Sequence, residues 1–197
     1  QKGRYREFTQ CDIDIAGTTN MAADAEIAVI MATVLLKLGF SRIEVRINNR
    51  KLLNGMLEAA GIPEDLTMFA LRGVDKWFKI GADGVRAELS AKLGAAQIEK
   101  LFSLLPQPDE TFKAWTARTE EVLSTNAFGK EGLEELDAVM TYVRASGLAE
   151  NLFRVDVLLA RGLDYYTGTI FEASLLDKPE FGSVYGGGRY DKLIGQF

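Results

Sequence analysis

Histidine is absent from these 197 residues, cysteine occurs once and proline only four times. Without histidine, Ser-His-Asp hydrolysis and the common His-based zinc sites are excluded. The single Cys11 rules out an internal disulfide, argues against a structural zinc site and suits a reducing compartment. Long apolar runs are missing too. The longest, near Ile27 to Leu36, is too short to span a bilayer, and no stretch reads as a signal peptide. Basic excess is lacking, since the net charge is -5, so no global positive surface recruits nucleic acid. Chemistry must therefore rest on carboxylates, Arg, Lys, Tyr and backbone groups. What remains is ordinary for a soluble globular protein: 47% hydrophobic and 26% charged residues, enough chain for one domain or a domain with an insertion.

Residues 4–17 alternate like a strand. Arg4, Arg6, Phe8, Gln10, Asp12 and Asp14 share one face by the two-residue period. That face is a solvated strand surface or the wall of a cleft. Phe8 among the charges, and apolar Ile15-Ala16-Gly17 after Asp14, favour the cleft. A helix is predicted to about Lys37, with Ile27, Ile30, Met31, Val34 and Leu35 at helical spacing and Gly39 closing it. Arg42–Ile47 reads as a strand and Lys51–Ala60 as a helix ended by Gly61-Ile62-Pro63. From about Arg72 to Glu150 the β-branched alternation vanishes. Helices are predicted at 83–93, 95–104, 109–123 and 130–146, with Trp77 and Trp115 as core residues. Strand character returns at Leu152–Leu159, Tyr166–Leu175 and Gly182–Tyr185, and Arg189–Phe197 reads as a helix start. The expected architecture is α+β, an antiparallel β-sheet flanked by helices with an all-helical insertion: 1–71 and 151–197 form the core, and 72–150 projects away from it.

Two runs near the end concentrate polar groups: Ala160-Arg161-Gly162-Leu163-Asp164-Tyr165-Tyr166-Thr167-Gly168 and Gly186-Gly187-Gly188-Arg189-Tyr190-Asp191. Arg161 follows an apolar stretch, where a guanidinium without a partner is costly. It is either a structural cation paired with Asp164 or Asp14, or a site cation. Tyr165 and Tyr166 would point to opposite faces of a strand, but in a tight bend both can approach one ligand. A glycine triplet alone builds bulges and turns as readily as a ligand floor.

Taken together, Arg4–Gly17, Arg161–Thr167 and Gly186–Asp191 resemble the catalytic core of histidyl-tRNA synthetase, a class II aminoacyl-tRNA synthetase. The resemblance covers almost the whole chain. It implies a catalytic Arg161 at the α-phosphate and a histidine site formed by Gln10, Asp14, Arg161, Tyr165, Tyr166, Gly187 and Gly188. It implies ATP contacts from Arg4, Phe8 and Arg161, with Phe8 stacking on adenine, and a tRNA acceptor-end contact at Gln1, Lys2 and Gly3. The substrates so implied are L-histidine, ATP with Mg2+, and tRNA(His). The same resemblance implies no protein-bound metal, no membrane, a cytoplasmic location and a homodimer in the full-length protein. It places the family's motif 1 and the first motif 2 strand before Gln1, and motif 3 and the anticodon domain after Phe197. Little activity is then expected of these 197 residues alone. Two other functions fit such a core: a synthetase-like regulatory subunit of ATP phosphoribosyltransferase, and a module sensing uncharged tRNA within a larger kinase.

Overall fold

The computed structural model describes residues 6–162, 165–191 and 195. It is α+β, with a four-stranded sheet in the order β2-β1-β3-β4 and seven α-helices among the described residues. The strands are β1 (Ile43–Asn49), β2 (Phe153–Val155), β3 (Thr169–Leu175) and β4 (Ser183–Gly188). The helices are α1 (Met21–Lys37), α2 (Arg50–Ala59), α3 (Glu64–Val74), α4 (Trp77–Leu89), α5 (Ala95–Leu104), α6 (Phe112–Leu123) and α7 (Ala127–Ala145). β1 pairs antiparallel with β3, and β3 with β4, but β1 pairs parallel with β2. One ladder of the expected antiparallel sheet is thus parallel. The chain leaves β1 and returns as β2 through the helices between them, as a parallel pairing requires.

Alternation along the strands separates two faces. Ile43, Val45 and Ile47 stand opposite Leu175, Ala173 and Phe171, and Val45 and Ile47 also face Phe153 and Val155. This apolar face joins α1 and α7 in one core containing Ala28, Met31, Leu35, Leu136, Val139 and Val143. The other face is polar, carrying Glu44, Arg46, Arg154, Glu172 and Ser174. A second apolar cluster joins α2–α5 to Leu159, Ala160 and Ile170, so the helical stretch also packs beside the residues that lead into Arg161.

Short polar residues start the helices. Asn20 accepts from the Ala22 N–H, Asn49 from Lys51, Thr111 from Ala114 and Asn126 from Gly129. Each satisfies a donor that the first helical turn leaves open. Helix α7 does not project away as expected of the 72–150 stretch; it lies across α1 and α2 and contributes to the sheet's core. Helix α3 was not foreseen, although Pro63 followed by Glu64 and Asp65 carries a start signal. The helix expected from residue 83 begins at Trp77 and is broken at Gly81, whose φ of 71° is non-helical. Trp115 is buried, with its indole N–H on the Leu104 carbonyl at 2.8 Å.

Two strand expectations need correction. Within the expected strand Arg4–Ile15, the described residues 6–15 belong to no ladder and are exposed. Alternation alone does not satisfy a strand's backbone groups; pairing with a neighbouring edge must, and residues 6–15 pair with neither edge strand, β2 or β4. Residues 152–159 form a strand only at β2. Asp156 then turns the chain, its Oδ1 accepting from Leu158 N–H at 3.1 Å and its carbonyl from Leu159 N–H at 2.9 Å. Arg189–Asp191 is not helical, and most of the helix expected beyond it lies outside the described residues.

Candidate functional site

A cavity of about 310 Å³ opens where β4 meets the turn before β3, lined by Arg161, Gly162, Tyr165, Tyr166, Ser183, Val184, Tyr185, Gly186 and Gly187. The turn is tight. Gly162 has φ 63°, and its carbonyl accepts from Tyr165 N–H at 3.2 Å and Tyr166 N–H at 3.0 Å. A side chain at Gly162 would strain the backbone and also strike the Tyr166 ring, since an added Cβ would lie 1.8 Å from Tyr166 Cδ2. At Gly188 the Cβ would come within 2.8 Å of the same ring. The two glycines therefore make room for Tyr166. Gly187 differs: its Cβ would meet nothing within 4 Å, so the open space in front of it belongs to the cavity.

Tyr165 and Tyr166 both line the cavity, their rings edge to face with centroids 4.4 Å apart. Burial, then the Tyr165 hydroxyl, pushes the Tyr166 phenol up to about 12, against the opposing pull of Arg161. At neutral pH Tyr166 is thus an uncharged O–H able to donate or accept. Arg161 reaches the cavity across β4. Its Nη1 lies 2.7 Å from Glu172 Oε2 and donates to Ser183 Oγ at 2.8 Å. Its counter-ion is Glu172, which is neither of the two partners considered from sequence. Asp164, one of those two, lies outside the described residues.

Glu172 belongs to a network that local sequence reading missed. Its Oε1 accepts from Arg46, which also reaches Asp156 Oδ2 at 3.2 Å. Arg154 lies 3.5 Å from Asp156 and 3.1 Å from Glu44. Charged residues at alternate positions, Glu44 and Arg46 on β1 and Arg154 and Asp156 on and just after β2, were the available signal; their meeting with Glu172 of β3 required the register. Arg189 is anchored as well, on the buried Asp24 of α1 with its Nε at 3.1 Å. Its backbone accepts from Thr167 N–H at 2.7 Å and donates to the Thr169 carbonyl at 2.8 Å. Those bonds clamp the Gly186–Asp191 run to the Tyr-bearing turn.

The N-terminal candidates sit apart from the cavity. Gln10 donates to both oxygens of Asp12, at 2.8 and 3.0 Å, and does not line it. Asp14 accepts from the Tyr190 hydroxyl, and Tyr190 is near enough to Tyr166 to act on its phenol. Phe8 is 73% exposed and stacks on nothing described. The segment does approach β4, because Cys11 and Asp12, after burial, push the Tyr185 phenol up. Gln1, Lys2, Gly3 and Arg4 lie outside the described residues. The geometry can hold a small polar ligand between two phenols and an arginine, with bare backbone at Gly187.

A family model described as histidyl-tRNA synthetase matches residues 1–197. A histidine–tRNA ligase of Clostridium tetani is 41% identical over 197 residues, covering 98% of this chain and 44% of that protein. One from Rhodopirellula baltica is 40% identical over 199 residues, covering 100% and 45%. The crystal structure of histidyl-tRNA synthetase from Nostoc sp. PCC 7120 superposes with a TM-score of 0.84 at 29% identity, over 91% of this chain and 42% of that one. An ATP phosphoribosyltransferase regulatory subunit/histidyl-tRNA synthetase from Bacillus halodurans C shares the fold, with TM-score 0.73 at 24% identity, over 91% and 45%. The chain spans less than half the length of these relatives.

Proposed function

Because the chain belongs to the histidyl-tRNA synthetase family, we propose that it carries the amino-acid activation site of a class II histidine–tRNA ligase. In that reaction the L-histidine carboxylate attacks the ATP α-phosphorus, releasing pyrophosphate and forming histidyl-adenylate, and the histidyl group then passes to tRNA(His). The observation that carries the reading is the meeting of Arg161, Tyr165, Tyr166 and Gly187 at one cavity. Arg161 engages Glu172 and Ser183 through Nη1, and Asp75 lies within electrostatic reach; among the described residues Nη2 and Nε carry no hydrogen bond and are left for the α-phosphate as charge builds there. Tyr165 and Tyr166 supply hydroxyls to an imidazole, which needs a polar partner on each nitrogen. Gly187 and Gly188 keep side chains off the pocket floor. Gln10 and Asp14 are the proposed partners of the histidine from the N-terminal segment, although neither lines the cavity and only Asp14 is tied toward it, through Tyr190. Phe8 offers its exposed ring to adenine, Arg4 serves the phosphates, and Gln1, Lys2 and Gly3 meet the tRNA acceptor end. Mg2+ arrives as part of the ATP substrate. In this reading residues 1–71 and 151–197 are the catalytic core, 72–150 is the helical insertion, and the full-length protein is a cytoplasmic homodimer.

The regulatory-subunit reading stays in play through the Bacillus halodurans likeness, which extends to the fold. Histidine-dependent ATP–pyrophosphate exchange separates the two. In a protein of the relatives' length, Arg161→Ala is expected to lower exchange about 10²–10³-fold, the usual cost of removing one preorganised charge donor. Histidine affinity should change far less. Wild-type protein that binds histidine without exchange would favour the regulatory subunit.

A further inference from the structure

We propose that Glu172 is a positioning residue for Arg161, and that Arg46 and Asp156 set its geometry; this rests on the ligase reading above. The sheet register supplies the argument. Arg154, Arg46, Glu172 and Gly186 occupy one row across β2, β1, β3 and β4. Three of these positions carry charges. The fourth has no side chain, and Arg161 fills the place from outside the row. A Cβ at Gly186 would lie 2.8 Å from Arg161 Nη1, so the guanidinium occupies the volume a β4 side chain would take. Glu172 is only 8% exposed, and a carboxylate so buried needs its charge matched. One oxygen takes Arg46, itself held by Asp156, and this fixes the direction of the other, 2.7 Å from Arg161 Nη1. The Arg161 side chain is 44% exposed and otherwise long and mobile. Anchored at Nη1 by Glu172 and Ser183, it presents its remaining donors in one orientation. Glu172 lies behind the guanidinium, does not line the cavity, and acts on the reaction only through Arg161.

A double-mutant cycle in the exchange assay tests this on the protein of the relatives' length. Glu172→Gln should lower kcat about 10²-fold, the cost of displacing a catalytic group by about 1 Å. The KM for histidine should stay close to wild type. In the Arg161→Ala background, Glu172→Gln should cause no further loss, because the group it orients is gone. Equal losses in both backgrounds would show a merely structural role and overturn the proposal. A spectroscopic arm is independent of activity. In wild-type protein the Arg161 Nη resonances, followed by ¹⁵N NMR, should be resolved by hindered rotation, and Glu172→Gln should average them. Averaged resonances in wild type would overturn the proposal even if Glu172→Gln fails to fold. If wild-type protein shows no exchange, or Arg161→Ala exchanges normally, the ligase reading fails, and the NMR arm still decides whether Glu172 holds Arg161.

Discussion

Asn48 is fully buried on β1, and its amide nitrogen donates to the Val157 carbonyl at 3.0 Å and the Leu159 carbonyl at 2.8 Å. Its Oδ1 has no partner among the described residues, so the side chain works through its donors. Those donors hold the loop that ends in Arg161. Asn48→Ala should destabilise the fold by about 1–3 kcal/mol per orphaned carbonyl, read from chemical denaturation. Asn48→Asp should cost more, since it buries a carboxylate facing two carbonyl oxygens. Unchanged stability in either variant would mean that the loop is held elsewhere. Tyr166 makes a second residue-scale prediction. Its folded pKa of about 12 lies above the ordinary phenol value of about 10. The sign follows directly: a group whose pKa is raised by folding contributes stability below the unfolded value and loses it as pH rises through the folded one. Wild-type stability should therefore fall between about pH 10 and about pH 12 more steeply than that of Tyr166→Phe. In an NMR titration the Tyr166 ring signals should stay still through the first half of that window. Movement of those signals near pH 10 would contradict the burial argument.

Helices α2 and α7 cross at glycines. A Cβ on Gly55 would lie 2.3 Å from Gly129 N, and one on Gly132 would lie 2.3 Å from Leu52 N. Both obstacles are backbone, so no rotamer change relieves them. Gly55→Ala and Gly132→Ala should each cost about 1–3 kcal/mol or more by forcing the helices apart. Gly187→Ala meets nothing within 4 Å and should stay within about 0.5 kcal/mol of wild type while reducing the cavity. Thermal or denaturant unfolding of the three variants checks the ordering, and equal stability of all three would refute the close crossing. At this scale the sequence was legible where a signal is local. The spacing of Met31, Val34 and Leu35 and the alternation of Ile43, Val45 and Ile47 marked α1 and β1. The α2–α7 contact was not legible, because Gly55 and Gly132 in a helix read as weak propensity until the partner backbone is in view. The same holds for residues 6–15, whose alternation was mistaken for membership of the sheet.

Across the whole molecule, the cavity was legible in large part because two contiguous runs, Arg161–Tyr166 and Gly186–Gly188, hold six of its nine lining residues; Ser183, Val184 and Tyr185, at the start of β4, supply the rest. What holds it was hidden. Glu172 and Arg46 meet only once β1 and β3 pair, and Asp24 meets Arg189 only when α1 lies beside the last turn. Short-range reading finds groups that face a ligand more readily than groups that face each other. The division also bears on what the 197 residues can do alone. Arg161 has a built anchorage within this chain, so the charge stabilisation that the ligase proposal assigns to it at one phosphate position would be locally provided. The chain covers 44% of the Clostridium tetani relative's length, and the family resemblance assigns further phosphate contacts to arginines expected in the remainder. Loss of even one such donor costs about 10²–10³ in rate, and losing two is expected to compound toward no turnover. The 197-residue chain is therefore expected to show no measurable histidine-dependent pyrophosphate exchange, while a protein of the relatives' length does. Mixing the two should not transfer activity to the shorter chain, because the missing donors must be fixed in place rather than merely present. Exchange by the 197-residue chain near the rate of the longer protein would mean that Arg161 and its neighbours suffice for the chemistry.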